Sequence, residues 1–269
     1  MSILLQSAVM DNNKEFIPLQ PYFHKELLNY KEIRSAIPSI ALFFCFDTDK
    51  NHYNYVSTVP DNCIDLMMSY SNEKIKVNYC GTVLRPISYP LDNDARYFCV
   101  RFTPNSLENI SGISAKELIK EEVIIEDTKS LEYALAGQIF QHKDFYKQIE
   151  IFCRYYVSKF TDYSSNKLID HLIQEINNAH GQISVEDLSQ NVHYSYSYIY
   201  NQFYNHVGIS PKLYCRIARF QYVMHYMLLQ KKEIMICGED LGSYDQSHFY
   251  KEFKTFAGKT PIEFINTQK

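Results

Sequence analysis

Two short runs of hydrogen-bonding side chains carry the chemistry of this sequence. Ser197, Tyr198, Tyr200, Asn201 and Tyr204 form the first, and Gln246, Ser247, His248, Tyr250 and Lys251 the second. Amides, hydroxyls, imidazole and ammonium groups can meet the donors and acceptors on base edges in the DNA major groove, or the phosphates beside it.

Readout of this kind needs a rigid helix that buries one face and offers the other. The stretch from Ile183 to Thr267 writes that pattern twice. Ile199, Phe203, Gly208, Ser210, Pro211 and Tyr214 answer to Phe249, Phe253, Gly258, Thr260, Pro261 and Phe264, each 50 positions later. With Ile199 and Phe203 turned inward, about 100° per residue places Ser197, Tyr198, Asn201, Tyr204 and Asn205 outward and Tyr200 on the flank. The second copy offers Ser247, His248, Tyr250, Lys251 and Lys254, with Gln246 at its start.

Caps and stops mark the helices. Ser184 is an N-cap with Glu186 and Asp187 in the first turn, and a second helix begins near Ser195. Gly208 is the left-handed stop, and Ser210-Pro211 restarts a helix over about 212–229. Asp245, Gly258 and Thr260-Pro261 repeat the scheme. Two short helices joined by a tight turn form a helix-turn-helix, whose second helix enters the major groove. Between the copies, 20 residues from Pro211 to Gln230 span about 30 Å, close to the ~34 Å of one DNA turn.

The rest of the chain bounds the class. Its 269 residues are 46% apolar and 22% charged, enough for two globular domains. No apolar run approaches the ~18 residues of a membrane span, and Met1 to Ser7 lacks a signal peptide's basic start. A cytoplasmic protein without membrane contact is expected. Seven cysteines without a Cys-x-x-Cys pair fit reduced buried thiols better than disulfides or zinc. The formal charge is −4, and residues 162–269 hold 10 Lys or Arg against 11 Asp or Glu. A DNA-binding face therefore requires segregation, with Lys212, Arg216, Arg219, Lys251, Lys254 and Lys259 on the DNA side.

Residues 1 to about 36 carry no clear pattern. Short β-like runs follow: 40–46, 53–59, 63–70, 74–79, 83–89 and 96–102, separated by turn-formers. A helical signal replaces them after Pro104, first in Leu107, Ile110 and Ile113 followed by Ala115 to Ile119, then over Leu131 to Phe140 and Phe145 to Phe160. The apolar stripe Ile149, Phe152, Tyr156, Phe160 is open to two readings, a cover for the β domain or a dimer seam. Polar residues 161–166 mark a linker. The expected fold is α+β in two domains. A β-barrel or sandwich with trailing helices precedes an all-α domain with two helix-turn-helix units joined by a long helix. The boundaries are 1–125 for the β-rich domain, 126–161 for a helical connector, and 166–269 for the DNA-binding domain.

Gly208 through Tyr214, Arg216 through Phe220, Asp245 through Phe249, Phe253-Lys254 and Gly258 through Pro261 resemble the DNA-binding domain of AraC-type transcriptional regulators. The resemblance covers about residues 165–267. It implies base-reading roles for Ser197, Tyr200 and Asn201, and for Gln246, Ser247, His248, Tyr250 and Lys251. Gly238 replaces a usual alanine and Ser243 a usual aromatic; a glycine inside a short helix costs up to ~1 kcal/mol relative to alanine. No Lys or Arg lies between Ser195 and His206, where the family commonly has arginine. Asn201 can instead pair with adenine while the tyrosines meet thymine methyls or phosphates, which points to A·T-rich sites.

Val59 through Leu66, Gly81 through Pro86 and Val100 through Pro104 resemble a β-rich domain found ahead of some AraC-type domains, with Asn62 where glycine is frequent. A cupin-like sensing or dimerisation module is implied. Residues 1–125 contain only His24 and His52, so neither a metal site nor another cofactor is expected, and the chain is not expected to be an enzyme. Arg101 and Arg85 each have two readings, an anionic effector or a structural role, with structure favoured. The partners expected are double-stranded DNA, with RNA polymerase, a small-molecule effector and a second copy of the chain as further candidates. The rival is a protein-interaction module that keeps the fold without binding DNA, using the patch of Tyr196, Tyr198, Tyr200 and Tyr204.

Overall fold

The computed structural model describes residues 18–51, 54–106, 113–119, 122–159, 166–229 and 246–268. After a single-turn helix α1 (Phe23–Glu26) come β1 (Leu28–Arg34), β2 (Ile40–Asp47), β3 (Tyr55–Thr58), β4 (Ile64–Ser71), β5 (Lys74–Cys80), β6 (Ile87–Pro90), β7 (Arg96–Phe102) and β8 (Glu122–Ile124). A six-stranded antiparallel sheet runs β1-β2-β7-β4-β5-β8, and β3 pairs with β6 in a second sheet. This is the sandwich form of the expected β domain.

Side-chain alternation gives the large sheet two different faces. Phe43, Leu66, Met68, Val77, Phe98 and Val100 point to helices α2 (Leu131–Phe140) and α3 (Phe145–Lys159). Leu42, Phe44, Phe46, Met67, Tyr97 and Cys99 point the other way, toward α1 and Val56 and Tyr89 of the small sheet. A register shift between Ile40 and Leu42 lets Ile40 join the first face although Leu42 joins the second. The α3 stripe Ile149, Phe152, Tyr156 is packed into this core, and Tyr156 Oη lies 2.5 Å from Ser39 Oγ. Phe160 lies outside the described residues, as do Leu107 and Ile110.

Three expectations are corrected. The unassigned N-terminal stretch contains α1 and β1; the β1 sequence, with only Tyr30 and Ile33 half-buried, is an edge strand without clean alternation. Residues 83–86 are not strand, and only Ile87–Pro90 pairs. Residues 115–119 are turns rather than helix, because their apolar side chains serve different cores: Ala115 and Leu118 pack in the β domain, Ile119 against the helical domain. Asn62 has φ +62, the left-handed region that glycine favours, and asparagine is the usual non-glycine occupant there.

The helical domain contains α4 (Lys167–Asn178), α5 (Val185–Asn191), α6 (Tyr196–Val207), α7 (Pro211–Leu229), α8 (Gln246–Ala257) and α9 (Pro261–Gln268). Asn166 caps α4, its side chain accepting from the amides of Leu168 and Ile169. Burial of Ile169, Leu172 and Ile176 with Leu188, Ile199, Phe203, Ile217 and Met224 makes one core, against which Leu19, Leu84 and Ile119 also pack. The two domains therefore share a seam. Gln221, 1% exposed, closes it by accepting from the Leu19 amide at 2.7 Å and donating to the Leu19 and Pro60 carbonyls.

Candidate nucleic-acid interface

The first recognition helix is built as its sequence directs. Ser184 Oγ accepts from the Asp187 amide at 3.0 Å to start α5, and Ser195 Oγ accepts from the Tyr198 amide at 3.3 Å to start α6. Gly208 stops α6 at φ +84, its amide donating to the Tyr204 carbonyl. Ile199 and Phe203 are fully buried, and the Phe203 ring meets Tyr214 of α7 edge-on at 5.3 Å between centroids. That anchoring leaves Ser197, Tyr198, Tyr200, Asn201, Tyr204 and Asn205 exposed on one helix. Tyr194 stacks on Tyr198 at 4.8 Å, and Tyr200 on Tyr204 at 6.1 Å.

Of the second unit, the recognition helix α8 and α9 are described; the leading helix with Gly238, the turn with Ser243 and the cap Asp245 lie outside the described residues. Phe253 and Phe256 seat α8 on Phe220 of α7, at 5.3 and 5.5 Å between ring centroids. Phe249 is half-buried rather than buried, its ring 6.2 Å from Phe253. Lys251 and Lys254 are exposed and Tyr250 is half-exposed. Gln246, Ser247 and His248 occupy the first turn of α8. Gly258 stops the helix at φ +74, and Thr260 and Glu263 cap α9 reciprocally, each side chain accepting the other's amide proton.

Both recognition helices thus rest on α7, and a groove of about 530 Å³ runs along α7 and the start of α5, with Tyr196 of α6 and Glu252 of α8 at its walls beside Lys212, Arg216 and Arg219. Glu252 of α8 holds Arg216 at 3.2 Å and Arg219 at 3.8 Å, and Arg219 also donates to the Gly181 carbonyl at 2.7 Å. Arg216 and Arg219, expected on the DNA side, therefore tie the two units together, while Lys212 remains exposed. Glu252 had no sequence signal beyond being an acid on a recognition helix.

Across the seam, Lys116 from the turn at 115–119 donates to Asn205 Oδ1 at 2.6 Å, with its ammonium 4.9 Å from the centre of the Tyr204 ring. Its turn backbone lies against Gly208, where a Cβ would come within 2.8 Å of the Ala115 carbonyl oxygen.

The β domain has its own pocket of about 80 Å³, lined by Gln20, Phe23, Phe44, Asp61, Asp65 and Arg101 among others. Antiparallel register sets Asp65 of β4 directly opposite Arg101 of β7. Arg101 donates to both Asp65 oxygens at 2.8 and 2.7 Å and lies 3.2 Å from Asp61, so the structural reading of this arginine holds. Burial pushes the Asp65 carboxyl up against the pull of Arg101, and the two carboxylates keep the guanidinium charged. Arg85 is exposed. Burial also raises the Cys63 and Cys99 thiols well above the ordinary range. Among the described residues, no group of three or more His, Cys, Asp or Glu is placed to hold a metal, and no helix is long and apolar enough to cross a membrane.

Residues 37–124 match a family described as a domain of unknown function. No curated protein sequence matches the chain. Among solved structures, an apo variant of ToxT from Vibrio cholerae is 11% identical, covering 84% of this chain and 98% of its own, with a TM-score of 0.47. The same organism's ToxT bound to an unsaturated fatty acid is 14% identical, covering 83% and 94%, with a TM-score of 0.42. Residues 188–267 match the family model described as a helix-turn-helix domain, and they enclose both recognition helices. This part of the chain is an AraC-type helix-turn-helix domain, and the protein that carries it is a DNA-binding transcription regulator.

Proposed function

We propose that the regulator is sequence-specific and reads successive major-groove segments with α6 and α8. The observation that carries this reading is the exposed polar face of α6, held in register by the buried Ile199 and Phe203. Ser197, Tyr198, Tyr200, Asn201 and Tyr204 read from the first helix, and Gln246, Ser247, His248, Tyr250 and Lys251 from the second. Asn201 is assigned to adenine. The space around Asp65 and Arg101 is the candidate effector pocket. Gln20 and Phe23 line it, while Leu19 bonds to Gln221 and Lys25 donates to the Thr267 carbonyl. One short segment therefore touches the pocket and the DNA-binding domain, which gives an effector a route to shift domain placement. The buried charges of Asp61, Asp65 and Arg101 offset one another, and Gln20 and the Cys63 amide also donate to Asp61, which favours sensing over catalysis. A cytoplasmic location follows from this role. A homodimer and contact with RNA polymerase are part of the same reading, with activation and repression equally compatible.

Selection from random duplex DNA at low and moderate salt tests the proposal. An enriched, A·T-rich motif whose binding weakens with salt is expected. A second reading, a protein-interaction module, is favoured by the exposed stacked tyrosines of α6. Absence of any enriched sequence, or binding indifferent to salt, decides for that module.

A further inference from the structure

Resting on the DNA-binding reading, we infer that Lys116, a residue of the β domain, supplies the phosphate-contacting cation that the first recognition helix lacks. Between Tyr196 and Val207 there is no Lys or Arg, and the only basic residue, His206, is half-buried beside Asn166. A helix in the major groove is flanked by two phosphate backbones, and those contacts fix its register and supply the salt-dependent share of affinity. Lys116 places an ammonium where such a contact is missing. Its nitrogen is 2.6 Å from Asn205 Oδ1 and 4.9 Å from the Tyr204 ring centre, while the side chain as a whole is exposed. An ammonium has three donors, and Asn205 takes one.

Position along the helix favours a phosphate over a base. From Ser197 to Asn205 is eight residues, a rise of about 12 Å at 1.5 Å each, comparable with the ~12 Å width of the groove. With Ser197, Tyr200 and Asn201 inside the groove, the Asn205 end lies at its rim, where the backbone runs. Lys116 is also held in place rather than left to wander. Ala115 and Lys116 pack backbone to backbone on Gly208, so closely that a Cβ there would meet Ala115 O at 2.8 Å. On the other side, Leu118 is fully buried in the β domain, and a Cβ on Gly81 would overlap the Leu118 carbonyl. The Asn201 half of α6 stays uncovered, so the turn flanks the reading face without capping it.

The test measures affinity of the full chain for its selected duplex across a salt series, with wild type, Lys116→Ala, Lys116→Arg and Lys251→Ala. One phosphate contact contributes about 0.9 to the slope of log affinity against log salt, or about 3.5-fold between 50 and 200 mM. Lys116→Ala is expected to bind more weakly at low salt, with the slope reduced by about 0.9 and the enriched motif unchanged, and Lys116→Arg should restore the slope. An unchanged slope in Lys116→Ala, with Lys251→Ala showing the loss, overturns the inference while leaving DNA binding intact. Tighter binding by Lys116→Ala also overturns it, identifying the contact as a restraint on α6. Failure of the wild type to bind any duplex removes the parent reading and this one together.

Discussion

The two recognition helices rest on the same support and differ in almost everything else. Helix α6 is uncharged, tyrosine-rich and abutted at its end by β-domain backbone; α8 carries two exposed lysines, and its stop glycine meets only the side chain of Pro86, at 3.3 Å from a hypothetical Cβ. Where side chains of the helix supply the cations, the neighbouring domain reaches the unit through side chains such as Pro86 and Lys25. Where they do not, it comes close and brings its own. The first unit therefore leans on β-domain backbone at Ala115 and Lys116, the second on side chains.

The largest expected effect separates the two stop glycines. Both need left-handed backbone, so either substitution by alanine costs about 1–2 kcal/mol. Gly208→Ala adds an overlap with the Ala115 carbonyl, of the overpacking kind that costs about 1–3 kcal/mol more. Urea unfolding should show a loss of about 2–5 kcal/mol for Gly208→Ala and about 1–2 for Gly258→Ala; equal losses would mean that the seam yields freely at Ala115. Next come the reading faces. Asn201→Ala should relax specificity at one base pair by about 1–3 kcal/mol, and Lys251→Ala should relax it in the second segment while also lowering affinity and its salt dependence through the lost charge. If repeated selection returned the wild-type motif with Asn201→Ala, that residue would be removed from the readers. The smallest effect concerns the ground both units share. Burial lowers the pKa of His180, stacked on Tyr222 at 3.7 Å, and that of His225 on α7, where Arg34 lowers it further. Both are therefore harder to protonate in the folded chain than at their ordinary value of 6.5. Their stabilising share is fully present above that pH and is lost as pH falls below it. The melting midpoint should drop between pH 7.5 and 5, and the double substitution to glutamine should flatten the drop.

Local rules made much of this legible. Ser184, Ser195, Gly208 and Pro211 punctuate helices wherever they occur, so the first unit could be drawn from spacing alone. The α3 stripe was equally visible, although spacing could not say that the sheet, rather than a second copy, takes it up. Strand positions emerged from alternation, but β1 did not, because an edge strand with two half-buried residues has little alternation to show. At 115–119 the apolar spacing misled: helical periodicity assumes one buried face, and these residues divide themselves between two domains. Long-range partners were out of reach for a simpler reason. Arg101 invited an ion pair, yet choosing Asp65 requires the register of β4 on β7, and nothing local brings Lys116 to Asn205 across 89 positions.

Gln221 has a mechanical consequence. Its amide fastens the middle of α7 to Leu19 and Pro60, and Asn62 donates to the Tyr214 carbonyl near the start of the same helix. Because α6 and α8 are both mounted on α7, this helix works as an axle with two blades, gripped between them by the β domain. A torque applied at the grip turns both blades together, so the spacing between the two reading heads is preserved while their aim changes.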